Sequence, residues 1–258
     1  MSQLDLRPTV KSMIDPASLA HDLRAIGLRR GDILLVHSSY RSLGIDHPET
    51  LIQALIQVID DTGTLLLPAL SYCQQPPTVH NTQTTPSCVG FLAEYFRARP
   101  GTRRSLHPTH SVCGIGARIG ELLSDHGDDT TPCGPRSPFH KLLHCGGKIL
   151  MLGCGLRPNT TMHAIEEYIR PPYLFGEPLT YTLTDAAGVT FEKTYTPHDF
   201  AGFVQRYDRV AALLDDRQLV LGRVGTAPAY LIDAQALYQH ALAQLKRDAY
   251  FFVDRDTK

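Results

Sequence analysis

Ile33-Leu34-Leu35-Val36 and Thr64-Leu65-Leu66-Leu67 are the two apolar runs that decide the fold of this chain. Each run is short, continuous and bounded by turn-forming residues, which is typical of a buried strand. Residues 51–59 lie between them and repeat Leu and Ile at the spacing of an amphipathic helix. A strand, a helix and a second strand in this order predict parallel strands joined by a crossover, because parallel neighbours need a long bridging connection.

The segments on either side of this unit extend the same pattern. Asp15 and Pro16 are typical of a helix start, and apolar residues then recur at helical spacing until Gly27 ends the helix. The turn Asp185-Ala186-Ala187-Gly188 predicts an antiparallel hairpin between two of the later strands. We therefore expect an α/β fold with a mixed sheet. Further strands are predicted at Ser111 to Ile115, Lys148 to Leu152, Leu179 to Leu183, Val189 to Tyr195, Leu219 to Val224 and Ala229 to Ile232.

The length and composition of the chain bound its organisation. At 258 residues with 43% hydrophobic side chains, it is near the upper size for one hydrophobic core. No repeat, low-complexity segment or long linker divides it. We therefore expect a single domain over residues 1–258, or a core followed by a smaller subdomain from about residue 175 onward.

The charge and the cysteines exclude several classes of protein. A formal charge of -1 gives no general attraction for nucleic acid or for an anionic membrane. Met1 to Asp5 lack the basic and apolar segments of a secretory signal, and no apolar run is long enough to span a bilayer, so we expect a cytoplasmic protein. The six cysteines include no Cys-x-x-Cys pair, which argues against a zinc knuckle or a redox motif.

Reactive side chains are concentrated between Arg104 and Glu167. Histidines, hydroxyls and carboxylates there alternate with Gly and Pro, which is typical of loops that present polar groups. His107 and His110 lie three residues apart and could be metal ligands, but no third ligand follows at a recognised spacing. The sequence therefore favours structural hydrogen bonding or ligand contact for both imidazoles, and no metal is expected.

His163 lies three residues before Glu166 and four before Glu167, in a helix predicted to begin at Asn159-Thr160-Thr161. Residues at these spacings share one helix face, so a carboxylate can accept the imidazole N–H and fix its tautomer. A general base for an amine needs this arrangement, because a substrate ammonium must lose a proton before its nitrogen can attack a carbonyl. An ordinary ion pair on the helix surface is the alternative interpretation.

Three other polar segments are open to two interpretations each. The run from His37 to Gly44 follows a strand and could bind an anion, or it could simply cap the next helix. His198 beside Asp199, with the nearby run Gln205 to Arg209, could contact a substrate or form a charged surface turn. The segment from Gln74 to Ser87 is too long and irregular for a simple connector, and it could be a binding loop or a surface excursion.

In their joint order, segments of this chain resemble the aminoglycoside 3-N-acetyltransferase family. The resemblance spans roughly Gly31 to Tyr173, and the joint order is much more specific than any single segment. The matching segments are Val36-His37-Ser38-Ser39 with Gly44, Gly63-Thr64-Leu65 to Pro68, Arg104 through Val112, Gly134-Pro135-Arg136-Ser137-Pro138-Phe139, and Leu152-Gly153-Cys154 leading into Asn159-Thr160-Thr161-Met162-His163 with Glu166.

The resemblance implies a three-layer α/β/α fold with a mixed β-sheet, which differs from the commoner GNAT acetyltransferase fold. It implies acetyl-CoA as the donor, and direct transfer of the acetyl group to an amine in a ternary complex. It also implies that His163 is the general base and that Glu166 orients it. The residues implied for coenzyme binding are His37, Ser38, Ser39, Arg41, Ser42, Leu43, Gly44, Thr109, His110, Ser111 and Val112.

The acceptor implied by the resemblance is an amine of an aminoglycoside or of a related amino-bearing metabolite. Because an aminoglycoside carries several positive charges, its pocket should gather carboxylates. The region from Asp125 to Asp129 could supply some of them. The residues that we expect to contact the acceptor are Tyr72, Glu167, His198 and Asp199.

Two other functions remain open, together with the assembly of the protein. Cys113 or Cys154 could carry the acyl group with a histidine, His110 or His163, as its partner, which predicts ping-pong kinetics and an acetylated thiol. The chain could instead be a non-catalytic protein that retains the coenzyme cleft. A homodimer could use the apolar helix predicted from Ala234 to Leu245, although internal packing explains that helix equally well.

Overall fold

The computed structural model describes residues 14–257, so the prediction made from Met1 to Asp5 lies outside the described residues. The helices are α1 (Pro16–Ala25), α2 (Pro48–Ile59), α3 (Phe91–Ala98), α4 (Ile119–Leu123), α5 (Pro138–His144), α6 (Thr161–Ile169) and α7 (Ala234–Arg247). The strands are β1 (Ile33–Ser38), β2 (Thr64–Pro68), β3 (Val79–Asn81), β4 (Arg103–Arg104), β5 (Val112–Gly116), β6 (Lys148–Leu152), β7 (Leu179–Thr184), β8 (Thr190–Tyr195), β9 (Phe203–Gln205), β10 (Leu219–Val224), β11 (Ala227–Asp233) and β12 (Val253–Arg255). Short 3₁₀-helices cover Tyr40–Ser42, His126–Asp128 and Tyr207–Ala212.

The main sheet is mixed, and its strand order is β10-β11-β6-β1-β2-β5-β4. β1 pairs in parallel with β2 and with β6, so that Leu35 lies opposite both Leu66 and Ile149. The remaining neighbours in this sheet are antiparallel. The crossover predicted between Ile33 and Leu67 is therefore confirmed, with α2 as its bridging helix.

Helices cover both faces of the main sheet. In β1, Leu34 and Val36 pack in a first apolar core with residues of α1, α2 and α3. Ile33 and Leu35 pack in a second apolar core with residues of α4, α5, α6 and α7. Successive side chains of a strand point to opposite faces, so a strand that is buried on both sides reads as a continuous apolar run. The three-layer α/β/α arrangement is confirmed.

Local hydrogen bonds set the helix starts. The Asp15 carboxylate accepts a hydrogen bond from Ser18 N at 2.7 Å, and α1 begins with the residue after Asp15, as predicted. At α6, the side-chain oxygen of Asn159 accepts from Thr161 N at 3.1 Å. The helix α6 therefore begins shortly after β6, and its first turn carries His163.

A smaller sheet, β3-β7-β8, lies outside the main one. Its β7-β8 pair is the antiparallel hairpin that the sequence predicts. β3 belongs to the Gln74 to Ser87 segment and pairs in parallel with β7, which places His80 opposite Leu183. His80 is fully buried, and its Nδ1 lies 3.3 Å from Ser71 Oγ. A strand that the sequence did not predict thus anchors this segment to the smaller sheet.

The helix α7 packs inside the molecule. Its residues Leu237, Ala241 and Leu245 are buried in the second apolar core. Internal packing therefore accounts for the apolar face of α7, and the homodimer stays a prediction. Among the helices of residues 14–257, none combines the length and the apolar character that crossing a bilayer requires.

Candidate active site

A cleft of about 720 Å³ opens at the carboxyl ends of the parallel strands β1, β2 and β6. His37 and Ser38 end β1, Pro68 ends β2, and Cys154 closely follows β6. In open α/β sheets, this edge is where ligands bind. The lining residues are Val36, His37, Ser38, Leu67, Pro68, Leu70, Tyr72, Val89, Ala93, His110, Cys154, Arg157, Pro158, Asn159, Thr160, His163, His198, Phe200, Gln205 and Tyr207.

His163 reaches this cleft from the first turn of α6. Its Nδ1 lies 3.2 Å from Oε2 of Glu166, so the structure contains the contact that the sequence predicts between these residues. The His163 side chain is 13% exposed and that of Glu166 is not exposed at all. The pair is therefore not the ordinary surface ion pair that was the alternative interpretation.

Two tyrosines complete the surroundings of Glu166. The Tyr173 hydroxyl donates to Oε1 at 2.9 Å, and the Tyr207 hydroxyl donates to Oε2 at 2.7 Å. The oxygen of Tyr207 also lies 2.8 Å from Nδ1 of His163. Because Tyr207 uses its only proton toward Glu166, Nδ1 must supply the proton of this third contact. Nε2 of His163 is then the nitrogen with a free lone pair.

The strand β9 brings Tyr207 to α6. β9 pairs with β12 near the end of the described chain, and a 3₁₀-helix begins at Tyr207 shortly after β9 ends. Burial raises the pKa of the Tyr207 hydroxyl well above its usual range, so the group stays protonated and remains a hydrogen-bond donor. A pair of short strands late in the chain thus positions a group that contacts His163.

Glu167 has a different partner from the one that its spacing suggests. Its Oε1 lies 2.8 Å from Nε2 of His198, and its side-chain oxygens also accept from Thr131 Oγ1 at 2.5 Å and Cys133 N at 2.6 Å. Burial raises the pKa of Glu167 to about 7 and lowers that of His198. His198 lines the cleft, whereas the neighbouring Asp199 is exposed and lies outside the lining. The structure therefore places His198 at the cleft with Glu167 behind it.

His110 completes a cluster of three imidazoles at the cleft. Its ring centroid lies 6.0 Å from that of His163 and 5.4 Å from that of His198. One ring nitrogen from each histidine can be chosen so that all three lie within 4.8 Å of one another. On its other side, Nδ1 of His110 lies 2.9 Å from Thr109 Oγ1. These partners come from distant parts of the chain, so residue spacing could not reveal the cluster.

His107 does not belong to that cluster. It is buried, and its Nδ1 accepts hydrogen bonds from His110 N at 2.9 Å and from Thr109 N at 3.2 Å. His107 therefore has the structural hydrogen bonding that the sequence favours, and it is not paired with His110 as a candidate ligand.

Three buried side-chain atoms at the cleft have no hydrogen-bonding partner within residues 14–257. They are Nε2 of His37, Nδ2 of Asn159 and Nδ1 of His198. Burial lowers the pKa of His37 to about 3, so its imidazole is neutral. Unpaired buried polar groups are rare in proteins, and in a cleft they are groups that a ligand can satisfy.

The chain after Ser38 turns away from the cleft. Ser39 N donates to Leu152 O at 2.8 Å, and Ser42 Oγ donates to Ser39 O at 2.7 Å, which closes a 3₁₀ turn. Arg41, within this turn, is exposed. These hydrogen bonds hold the turn against the end of β6, and the lining of the cleft does not include Ser39, Arg41 or Ser42.

Leu43 and Gly44, which follow that turn, have structural roles rather than positions on the cleft wall. Leu43 is fully buried in the first apolar core. Gly44 has a φ of +68°, and a Cβ at this position would lie 2.7 Å from Thr226 Oγ1, so the turn requires glycine. Of the predicted coenzyme-binding run from His37 to Gly44, the structure brings His37 and Ser38 to the cleft.

Most of the run from Thr109 to Val112 supports the cleft from behind. Ser111 is fully buried, and its Oγ donates to Ala69 O at 2.8 Å. Val112 is fully buried in the second apolar core. Tyr72, in contrast, lines the cleft and is 56% exposed. The structure therefore brings His110 and Tyr72 to the cleft, but not Thr109, Ser111 or Val112.

No carboxylate is among the lining residues of the cleft within residues 14–257. Glu166 and Glu167 lie behind the histidines. Asp129 is buried and accepts a hydrogen bond from the backbone N–H of Arg136 at 3.0 Å. Asp128 forms an ion pair with the guanidinium of Arg136 at 3.1 Å. The gathering of carboxylates that a highly cationic acceptor calls for is thus not found on the described cleft wall.

Sequence reasoning missed the two tyrosines that contact Glu166. Tyr173 is 7 residues and Tyr207 is 41 residues from Glu166, and neither separation is a helical spacing that predicts contact. The one available signal was that Tyr207 falls within the polar run from Gln205 to Arg209.

The comparisons with known proteins agree with this geometry. The sequence pattern of the aminoglycoside 3-N-acetyltransferase family matches residues 35–246. The chain is 31% identical over 240 residues to aminoglycoside N(3)-acetyltransferase IV of Salmonella sp, and the match covers 92% of this chain and 89% of that protein.

Two solved structures are similar over nearly the whole chain. One is a His-to-Ala mutant of aminoglycoside acetyltransferase AAC(3)-IVa in complex with a gentamicin, with a TM-score of 0.82, 29% identity, and coverage of 95% of this chain and 93% of that one. The other is AAC-IIIb in a binary complex with CoASH, with a TM-score of 0.78, 29% identity, and coverage of 92% and 97%.

Proposed function

Because the chain belongs to the aminoglycoside 3-N-acetyltransferase family, we propose that it is an acetyl-CoA-dependent N-acetyltransferase with His163 as its general base. The single observation that carries this proposal is the setting of His163. Tyr207 and Glu166 hold its Nδ1, while its Nε2 lone pair is free at the cleft. Acetyl-CoA is the co-substrate, and the AAC-IIIb structure with CoASH is a member of this family with the coenzyme bound.

In the proposed reaction, the acceptor and the acetyl thioester occupy the cleft together. An ammonium group of the acceptor loses a proton to Nε2 of His163, and the freed amine forms a bond to the thioester carbonyl carbon. The C–S bond then breaks and the coenzyme leaves as a thiolate, while the acylated nitrogen loses a second proton, which the thiolate takes up. The proton held by His163 is released to solvent. The products are an amide, the free thiol and a released proton. A positioned base of this kind typically contributes about 10²–10⁴-fold to the rate.

Glu166 orients the imidazole ring of His163 and balances the positive charge that the ring gains when it takes up a proton. The imidazolium that forms at His163 is stabilised by the buried carboxylate. The tyrosine donors satisfy both oxygens of that carboxylate, which reduces the cost of keeping it ionised in a buried site. Tyr207 is therefore a proposed positioning residue, since it contacts both His163 and Glu166.

Asn159 and His37 are the groups that we propose to contact the donor. Nδ2 of Asn159 and Nε2 of His37 are buried at the cleft without partners, so either N–H can donate to the thioester oxygen as charge develops on it. Among the hydroxyls predicted to bind the coenzyme, that of Ser38 lies on the cleft lining. We therefore propose that the contacts with acetyl-CoA are centred on His37, Ser38 and Asn159, together with His110, which also lines the cleft.

The acceptor that we propose is an amine of an aminoglycoside or of a related amino-bearing metabolite. The Salmonella relative is named for aminoglycosides, and the AAC(3)-IVa structure holds a gentamicin. The lack of carboxylates on the described cleft wall favours an acceptor with fewer positive charges than a typical aminoglycoside. Tyr72 and His198 are the proposed acceptor contacts, because both line the cleft.

The cysteine-dependent alternative has less support. Burial raises the pKa of Cys113 to about 12 and that of Cys154 to about 11, whereas a nucleophilic cysteine needs a lowered pKa. Cys113 is fully buried, and Cys154 Sγ donates to Gly155 O at 3.6 Å. We therefore propose direct transfer in a ternary complex.

We also propose that residues 1–258 form one acetyltransferase domain. Elements beyond residue 175 contribute to the core of the main sheet, since Ile232 and Leu237 pack in the same apolar core as Leu35. A separate unit after residue 175 would not share that core.

The proposed function is tested by measuring acetyl transfer from acetyl-CoA to a panel of aminoglycosides, amino sugars and simple monoamines. Free thiol and acetylated amine are quantified together, so that thioester hydrolysis is not counted as transfer. We expect equal amounts of both products, with the best substrates among the less highly charged amines. If acetyl-CoA binds but no amine is acetylated, the chain is better described as a non-catalytic coenzyme-binding protein.

A further inference from the structure

The three imidazoles at the cleft are each held through one ring nitrogen. Nδ1 of His163 contacts Tyr207 and Glu166, and Nε2 of His198 lies 2.8 Å from Oε1 of Glu167. Nδ1 of His110 lies 2.9 Å from Thr109 Oγ1. Each ring therefore keeps its second nitrogen available, namely Nε2 of His110, Nε2 of His163 and Nδ1 of His198.

The three rings also lie close together. One nitrogen from each of the three rings lies within 4.8 Å of the other two. Nδ1 of His198 has no hydrogen-bonding partner although the His198 side chain is only 4% exposed. A buried, unpaired nitrogen within a cluster of three imidazoles at a cleft indicates a missing ligand, because such a group is costly to leave unsatisfied.

The surroundings match those of histidines that bind metals. Such histidines typically donate their other ring N–H to a carboxylate or another acceptor, which orients the ring and makes it a stronger ligand. Glu166 and Glu167 occupy these positions behind His163 and His198.

We propose that His110, His163 and His198 form a binding site for Zn²⁺, and that the bound ion inhibits acetyl transfer. Three imidazoles with an open fourth position at a cleft make a ligand set that suits this ion. Tetrahedral bonds of about 2.0–2.1 Å place the nitrogens about 3.3 Å from one another, so the three rings would move closer together when the ion binds.

Inhibition follows from the shared use of one lone pair. Zn²⁺ bound to Nε2 of His163 occupies the electrons that would accept the proton of the acceptor ammonium. This inhibitory effect rests on the proposed function, whereas the binding of the ion does not. An experiment can therefore contradict the inhibition by Zn²⁺ without contradicting the binding of Zn²⁺.

Binding is tested by titrating metal-free protein with Zn²⁺ in competition with a chromophoric chelator. We expect saturation near one ion per chain for the unsubstituted protein and about 100-fold weaker binding for His198→Ala. The matched control is His240→Ala, which removes an exposed histidine on α7 and should bind as the unsubstituted protein does. Absence of saturable binding, or equal affinity in His198→Ala, overturns the site.

A second measurement needs no substitution. Co²⁺ added to the unsubstituted protein should give the intense visible absorption of a tetrahedral nitrogen site, and Zn²⁺ should abolish it by displacement. A spectrum like that of hydrated Co²⁺ contradicts the site even if His198→Ala fails to fold.

Inhibition is measured through the acetylated amine, because Zn²⁺ also binds free thiols. We expect transfer to fall to half at a free Zn²⁺ concentration close to the measured dissociation constant, and a chelator to restore it. Tight binding with undiminished transfer overturns the inhibitory part. If His163→Ala loses Zn²⁺ affinity but retains transfer, the metal site stands and the proposed base role of His163 fails.

Discussion

The hydroxyl oxygen of Tyr207 lies 2.8 Å from Nδ1 of His163, although 44 residues separate them in the sequence. The same hydroxyl donates to Glu166 at 2.7 Å, so it joins the imidazole and the carboxylate that the helix α6 already places side by side. This contact fixes which nitrogen of His163 carries the proton.

Tyr207→Phe removes one hydroxyl and keeps the ring. We expect kcat to fall about tenfold, because one hydrogen bond in the positioning of His163 contributes roughly 1–1.5 kcal/mol. KM for acetyl-CoA should change little. The control is Tyr168→Phe, since Tyr168 lies on α6 but is 58% exposed. Equal kcat in the two variants would remove Tyr207 from its positioning role.

Glu166→Gln replaces the buried carboxylate by an amide of similar shape. Two tyrosine hydroxyls and His163 Nδ1 all need acceptors at this position, and an amide offers only one acceptor oxygen. We expect turnover to fall by about 100-fold and stability to fall by roughly 1–3 kcal/mol. Steady-state kinetics and chemical unfolding measure the two effects. Glu121→Gln, at an exposed ion pair, is the control and should change neither; turnover above about half of normal in Glu166→Gln contradicts the account.

The stability of the protein should fall as the pH is lowered below about 6.5, because several histidines are buried in the neutral form. Burial lowers the pKa of His80 to about 3 and that of His126 to about 3, and it lowers the pKa of His107 as well. The unfolded chain takes up protons near pH 6.5 that these folded rings do not, so each ring contributes stability that is present above that pH and is lost below it.

Glu167 has the opposite effect on the pH dependence of stability. Burial raises its pKa to about 7, so its contribution to stability is present at low pH and is lost as the pH rises through 7. The histidines outnumber it, and we expect the net loss on the acid side. The melting temperature, measured from pH 7.5 to 5.0, should fall, and His126→Gln should make that fall shallower, whereas His21→Gln at an exposed position should not. A melting temperature of the unsubstituted protein that does not change between pH 7.5 and 5.0 would contradict this prediction.

Cys154→Ser and Cys113→Ala should each retain transfer within about twofold, because direct transfer uses no thiol nucleophile. Both thiols have raised pKa values from burial. Initial-rate patterns with both substrates varied should intersect, as in a ternary complex. Parallel lines, or acetyl groups found on either cysteine after donor alone is added, would support the cysteine-dependent alternative.

Local sequence signals predicted those elements whose formation depends on nearby residues. The runs from Ile33 and Thr64 became central parallel strands because they are apolar on both faces, and Asp15 caps α1 through its own side chain. The three-residue strands β3, β9 and β12 carry no such signal. Each forms through its partner, as when Val204 pairs with Asp254 across 50 residues.

The residues of the site also divide into those that nearby sequence predicts and those that only the tertiary fold brings together. His163 and Glu166 could be paired from the sequence because helical spacing brings them together. The same rule suggested Glu167 for His163, but the structure turns Glu167 toward His198, which is 31 residues away. The tertiary fold alone brings together His110, His163 and His198, so no sequence motif predicts this cluster. Of the coenzyme-binding residues implied by the resemblance, the structure brings His37, Ser38 and His110 to the cleft, whereas Leu43, Ser111 and Val112 are buried behind it.

The most direct test of the account is the measurement of acetyl transfer by His163→Ala beside its affinity for acetyl-CoA. We expect donor binding within about threefold of normal, since the ring is one contact among many, and a loss of turnover of about 100-fold or more because the positioned base that accepts the ammonium proton is removed. His240→Ala, at an exposed position, serves as the control for the loss of a histidine. Near-normal turnover in His163→Ala would contradict the central claim.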